Sequence, residues 1–231
     1  MQVVSRPGVL ARVTPRPVFS PLAFPAIRAM IDVHRSHEQY PMKLTQAITE
    51  IRNGDVLLFR RSSTLFGRLI RFRTQSPYSH AGIAAWMLVG GRRYLCVIEA
   101  MEGVGVRVFP LPRYLEQASK DGFLIDWFEI IDTSISRDWV AAYAMSTVGK
   151  KYASPWQFVW AWGCMSQWVR RIFRLAADTD SERLFCSELV AAALEYSGYV
   201  PDADLPQEAA ETSPGAIALF PCLRRRGSLE P

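Results

Sequence analysis

The chain has 231 residues, 49% of them hydrophobic and 21% charged, which excludes a disordered or collagen-like polymer and leaves room for one domain with a sizeable core. Four cysteines, at 96, 164, 186 and 222, form no CxxC pair and are too sparse for a disulfide scaffold. The net charge of +5 permits contact with anionic lipid, cell-wall polymer or nucleic acid and selects none of them.

Residues 1–42 read as a Pro/Arg-rich arm. Pro7, Pro15, Pro17, Pro21, Pro25 and Pro41 interrupt every apolar run, and Arg6, Arg12, Arg16 and Arg28 add charge. No uninterrupted apolar core follows the first arginines, so a secretory signal peptide is not expected. The arm is expected to pack on the domain or on an assembly partner. Lys43 to Ile51 then has helical spacing, with Leu44, Ala47, Ile48 and Ile51 on one face. Asn53-Gly54-Asp55 turns the chain into a short buried strand, Val56 to Phe59. Ser62 and Ser63 can cap a helix through Leu65, Leu69 and Ile70, whose other face carries Arg68, Arg71 and Arg73.

Strands are expected over His80–Val89, Arg93–Glu99, Val104–Phe109 and Phe123–Ile130, the first two joined by a Gly90-Gly91 hairpin. Connections this short imply antiparallel neighbours and an α+β architecture. Ser136 caps a helix running to Val148, with Trp139, Ala142, Tyr143 and Met145 in its apolar set. Between Ser154 and Leu175 apolar residues cover almost a whole helical circumference, and Arg170, Arg171 and Arg174 follow. The stretch is too short and interrupted for a transmembrane span. Core packing or an oligomer contact, an apolar lid over an acyl-chain cleft, and a peripheral membrane contact through residues 156–174 are its readings.

A helix begins near Cys186, with Leu189, Val190, Ala193 and Leu194 at apolar spacing and Gly198 closing it. Cys186 lies on that inward stripe, at the helix end where unpaired N–H groups favour a thiolate. Among the three histidines, His34 and His37 sit in a polar segment, whereas His80 heads an apolar strand. Glu99 closes the next strand, and a carboxylate there is costly to bury unless paired. His80 on the neighbouring strand can make that pair. Residues 223–231, with Arg224, Arg225 and Arg226, read as an exposed basic tail. No GxxxxGK[ST], GxGxxG or HExxH pattern occurs, so nucleotide and zincin chemistry lack support, and neither a cofactor, a metal nor a nucleic-acid partner is expected.

The order GDVLLF (54–59), SHAGI (79–83), VIEA (97–100), FCSELV (185–190) resembles the circularly permuted NlpC/P60 papain-like hydrolases. Within them it is most similar to the YiiX/YebB-like group, with lecithin:retinol-acyltransferase-like proteins more distant. Gly149-Lys150-Lys151-Tyr152 resembles the family's G-x-x-Y segment. Ser213 to Gly215 follows the cysteine helix, with a strand-like Ala216 to Phe220 after it. The resemblance spans residues 50–222 and implies one domain over 43–222, with Cys186 as nucleophile, His80 as base and Glu99 as the orienting group. It implies a cysteine hydrolase working through a thioester, on peptidoglycan peptides or on lipid-linked acyl substrates. A virion- or prophage-borne wall peptidase and a non-catalytic assembly module keeping the fold are the alternatives. The expected location is cytoplasmic or virion-associated.

Overall fold

The computed structural model describes residues 41–60, 71–72, 76–152, 183–201, 209 and 212–231. Residues 1–40 of the N-terminal arm, most of the helix expected after Ser62 and the tryptophan-rich stretch from 154 to 175 lie outside the described residues, while Pro41 and Met42, expected in the arm, belong to a strand of the sheet. Among the described residues no helix is long and apolar enough to cross a membrane.

The strands are β1 (Pro41–Lys43), β2 (Val56–Phe59), β3 (His80–Val89), β4 (Arg92–Met101), β5 (Gly105–Pro110), β6 (Ile125–Ile130), β7 (Lys151–Tyr152), β8 (Arg183–Leu184) and β9 (Leu223–Glu230). Seven of them form one sheet in the order β1-β9-β6-β2-β3-β4-β5, antiparallel throughout except where β1 runs parallel to β9. The short strands β7 and β8 pair in parallel beside it. The helices are α1 (Leu44–Ala47), α2 (Leu111–Asp121), α3 (Arg137–Ser146), α4 (Cys186–Tyr196) and α5 (Pro214–Ile217). The α+β architecture read from the sequence agrees with this arrangement.

The central strands are apolar along their length because both faces are covered. In β2, Val56 and Leu58 join a core with Val140 and Ala144 of α3, Leu189 and Val190 of α4 and Ile217 of α5. The alternate residues Leu57 and Phe59 join a second core with Leu44 and Ala47 of α1 and Leu111, Tyr114, Leu115 and Ala118 of α2. The sheet is thus sandwiched between two helical layers, and its alternation of side chains feeds one core on each face.

Four expectations are corrected. Helix α2 has no counterpart in the sequence reading, although Leu111, Tyr114, Leu115 and Ala118 have helical spacing and Gly122 ends it in the left-handed region at φ 68°. It carries the chain across the sheet, so β5 and β6 are not neighbours. In α3 the buried residues are Val140 and Ala144; Tyr143 and Met145 pack partly against the same core as expected, while Ala142 and Trp139 are exposed. Pro214–Ile217 is a helical turn capped by Ser213, not part of a strand, because the Ser213 side chain accepts from Ala216 N–H at 3.1 Å. Finally, the basic C-terminal segment is strand β9, between β1 and β6. Its arginines are bound by acids of other elements: Arg225 reaches Asp126, Arg224 reaches Glu129, and Arg226 reaches Glu50 and Glu129.

Candidate active site

Strand β3 begins at His80 and β4 ends just past Glu99, so the hairpin brings the two residues to one end of the sheet. Register sets their meeting. Ile83 faces Ile98, which places Gly82 opposite Glu99 and His80 on the diagonal beyond it. A Cβ on Gly82 would come within 2.6 Å of Val97 Cγ1 and 3.4 Å of Glu99 Cβ. The missing side chain leaves the lane through which the imidazole reaches the carboxylate. His80 Nε2 lies 2.6 Å from Glu99 Oε2.

Glu99 is fully buried, so every oxygen lone pair left unmatched would be costly. Arg107, its cross-strand partner on β5, donates from Nε at 2.9 Å and from Nη2 at 2.8 Å to Oε1. The Tyr114 hydroxyl of α2 donates to Oε2 at 2.9 Å. Burial alone would push the Glu99 carboxyl up. The hydrogen bond and charge of His80, together with Arg107, overcome it and hold the group below its ordinary value. The Phe59 ring packs edge-on against the imidazole at 5.0 Å and lies tilted against the Tyr114 ring at 4.9 Å, walling the pair from one side.

Cys186 is the first residue of α4, as its position in FCSELV predicts, and is 3% exposed. Its helix packs on the opposite face from α2, with Leu189, Val190, Ala193 and Leu194 in the same core. Because His80 opens β3, its ring is reached by Cys186 at the end of the sheet, and the two side chains are hydrogen-bonded. Nε2 being committed to Glu99, Nδ1 is the nitrogen left for sulfur. Burial disfavours an imidazolium, but the sulfur's negative form and the Glu99 carboxylate outweigh it and raise His80 to about 10. His80 therefore carries its proton at neutral pH. The first intrahelical bond of α4 runs from Leu189 N–H to Phe185 O at 2.9 Å, which leaves the N–H groups of Cys186, Ser187 and Glu188 outside the helical ladder. Glu188 turns away from the sulfur and accepts from Phe185 N–H at 3.1 Å, a cap for the helix start.

Tyr152 is the group whose place the sequence did not disclose. Its segment is gripped from both sides. Gly149 N–H donates to Val106 O at 2.9 Å, and Val106 N–H donates to Lys150 O at 2.8 Å, along the outer edge of β5. Next, β7 pairs with β8, putting Tyr152 opposite Leu184, two residues before Cys186. The Tyr152 hydroxyl is hydrogen-bonded to the Cys186 side chain, and its ring meets Phe185 edge-on at 5.7 Å. Burial and the sulfur's charge push its pKa far up, so the hydroxyl keeps its proton. The structure thus brings together all three residues expected from the sequence and adds Arg107, Tyr114 and Tyr152. The first two were hidden because only strand register and the undetected helix α2 bring them to Glu99.

No curated protein matches this chain. A crystal structure of the metalloprotein YiiX from Escherichia coli O157:H7 superposes with a TM-score of 0.52 at 20% identity, covering 78% of this chain and 98% of that one, which is a likeness of fold. The family model of permuted papain-like amidase enzymes, YaeF/YiiX, the C92 family, matches residues 50–216. On that match the chain belongs to the permuted papain-like amidases, and its kind of chemistry is that family's hydrolysis.

Proposed function

We propose that this protein is a cysteine amidase in which Cys186 attacks a peptide-like amide and His80 and Glu99 serve it. The observation that carries the reading is the shared imidazole: His80 is bonded to Glu99 on one side and to the Cys186 sulfur on the other. A nucleophile, a base and an orienting acid in that order form the working unit of thiol hydrolysis.

The sulfur adds to the carbonyl carbon, and the negative charge moves to the carbonyl oxygen. Donors in reach are the backbone N–H groups at the start of α4 and the Tyr152 hydroxyl. The C–N bond breaks as His80 gives its proton to the leaving amine, leaving a thioester on Cys186. Water, losing a proton to His80, then cleaves the thioester and releases the acid. Glu99 holds the imidazole in one orientation and supports its charge, and Arg107 and Tyr114 hold Glu99.

The superposed YiiX structure is that of a metalloprotein. Among the described residues of this chain no cluster of three His, Cys, Asp or Glu side chains suits a metal ion. At Glu99 the Arg107 guanidinium, 2.8 Å from Oε1, opposes a further cation.

The test is an acid-quenched mass spectrum of protein mixed with a library of N-acyl amides and short peptides. An acyl adduct on Cys186, absent in Cys186→Ala, is the expected result. Turnover by Cys186→Ala would overturn the reading.

A further inference from the structure

The β3–β4 hairpin ends in a tip that the core does not use. Every residue from Leu88 to Tyr94 is exposed, and Leu88 is 71%, Val89 60% and Tyr94 45% accessible. The strands stay paired to the last step, with Leu88 facing Arg93 and Val89 facing Arg92. Gly90 and Gly91, at φ 57° and 78°, close the turn in a conformation that suits the twist of a two-residue hairpin. The tip is therefore a well-formed ribbon that holds aliphatic side chains in water.

From Ala81 to Ile98 the hairpin contains no acidic residue, and its charges are Arg92 and Arg93. Arg93 lies over the Trp86 indole at 4.7 Å. Since neighbours along a strand point to opposite faces, Leu88 with Arg93 occupies one face of the ribbon and Val89 with Arg92 the other. Met87 and Tyr94 share the second face. A protein groove would cover one face and leave the other wet. Nucleic acid would satisfy the arginines and not the aliphatics. A lipid interface surrounds a tip on all sides. It takes Leu88 and Val89 into its acyl boundary, seats Tyr94 at the headgroups, and gives both arginines a phosphate.

We propose that the tip of the β3–β4 hairpin, Leu88 to Arg93, is an insertion point for an anionic lipid surface. The docking is independent of the catalytic assignment. One consequence rests on that assignment. His80 is nine residues from Val89 along the same strand, about 30 Å at roughly 3.3 Å per residue. A docked hairpin thus holds Cys186 and His80 well above the headgroups, where they meet an amide of a surface-tethered or soluble peptide and not an acyl chain within the bilayer.

The test is co-sedimentation of the full chain with vesicles of phosphatidylcholine alone and of phosphatidylcholine with phosphatidylglycerol. The wild type is expected to bind the anionic vesicles at least tenfold better, with loss in high salt. Leu88→Asp/Val89→Asp is expected to lose tenfold or more in partitioning, and Arg92→Glu several-fold on anionic vesicles alone. Iodoacetamide labelling of Cys186 should be unchanged in both, which separates failure of docking from failure of the site. If the aspartates unfold the chain by circular dichroism, Leu88→Ser/Val89→Ser replaces them. No binding by the wild type, equal binding to both vesicles, or undiminished binding by the tip variants overturns the proposal. A wild-type dimer that the tip variants turn into monomers, without vesicle binding, overturns it in favour of self-association.

Discussion

At the scale of residues, the imidazole is the pivot, and its surroundings dictate how activity should depend on pH. Burial would lower the His80 pKa, yet the Cys186 sulfur and Glu99 raise it to about 10. A raised histidine contributes stability fully below its unfolded value, near 6.5, and loses it as pH climbs through about 10. In the proposed mechanism the same proton is the one given to the leaving amine. The alkaline limb of kcat/KM should therefore fall near pH 10, and Glu99→Gln should move it toward neutral, because a neutral amide no longer supports the imidazolium. A limb at an ordinary histidine value in the unchanged enzyme would contradict the ion-paired site. Arg107 acts one step further back. It never reaches the sulfur, but without it Glu99 is a buried carboxylate with one fewer charge partner. Arg107→Ala should lower kcat/KM on the order of tenfold, about 1.4 kcal/mol in the transition state. It should also move the alkaline limb upward, opposite to Glu99→Gln, because loss of a neighbouring cation favours the imidazolium. Loss of activity with an unmoved pH profile would mean that Arg107 only braces β5.

At the scale of elements, the site depends on a strap that no local pattern reveals. Gly105 begins β5 at φ 96°, and a Cβ there would sit 2.4 Å from Lys150 O. The close approach lets β5 hold residues 149–152 and so deliver Tyr152 to the sulfur. Gly105→Ala imposes left-handed strain and a backbone clash together, about 1–3 kcal/mol. Lower thermal stability should come with a fall in kcat larger than the change in KM. A variant that loses stability alone, with kcat intact, would remove Tyr152 from the chemistry. Elements differed in how openly the sequence declared them. Strands β2, β3 and β4 and helix α4 were legible because apolar period, turn glycines and the residues at their ends agree. His80, Glu99 and Cys186 were legible for the same reason, each sitting at the terminus of a clear element. Arg107 and Tyr114 were not, since nothing near them in sequence says that Glu99 lies opposite. Ala216 to Phe220 misled by composition: its apolar run reads as a strand, while the Ser213 cap and Pro214 start a turn of helix.

At the scale of the whole molecule, the sheet is held across its middle by charges drawn from distant parts of the chain. Asp126 of β6 is fully buried and is met by Arg60 at 2.5 Å, Arg225 at 3.1 Å, the Tyr78 hydroxyl at 2.7 Å and the Ser228 hydroxyl at 2.6 Å. Burial would raise its pKa, but these partners hold it below the ordinary carboxylate value. Its stabilisation is thus present above the unfolded pKa and lost as pH falls through the folded one. Two of the four partners, Arg225 and Ser228, belong to β9. The C-terminal arginines look like a solvated tail for this reason: their acids lie 95 to 176 residues upstream, and β9 needs β6 to pair with. Removing residues 223–231 should accordingly do more than shorten an end. It strips β6 of its outer neighbour, leaves β1 with nothing to pair, and abandons Asp126 to Arg60 and Tyr78. Losing one side of a buried charge network costs about 3–5 kcal/mol, a large share of a domain's stability. The truncated chain should therefore lose its cooperative thermal transition, while Arg225→Ala alone should melt several degrees lower and keep Cys186 reactive. A truncation that melts like the full chain would show that β9 is dispensable to the sheet.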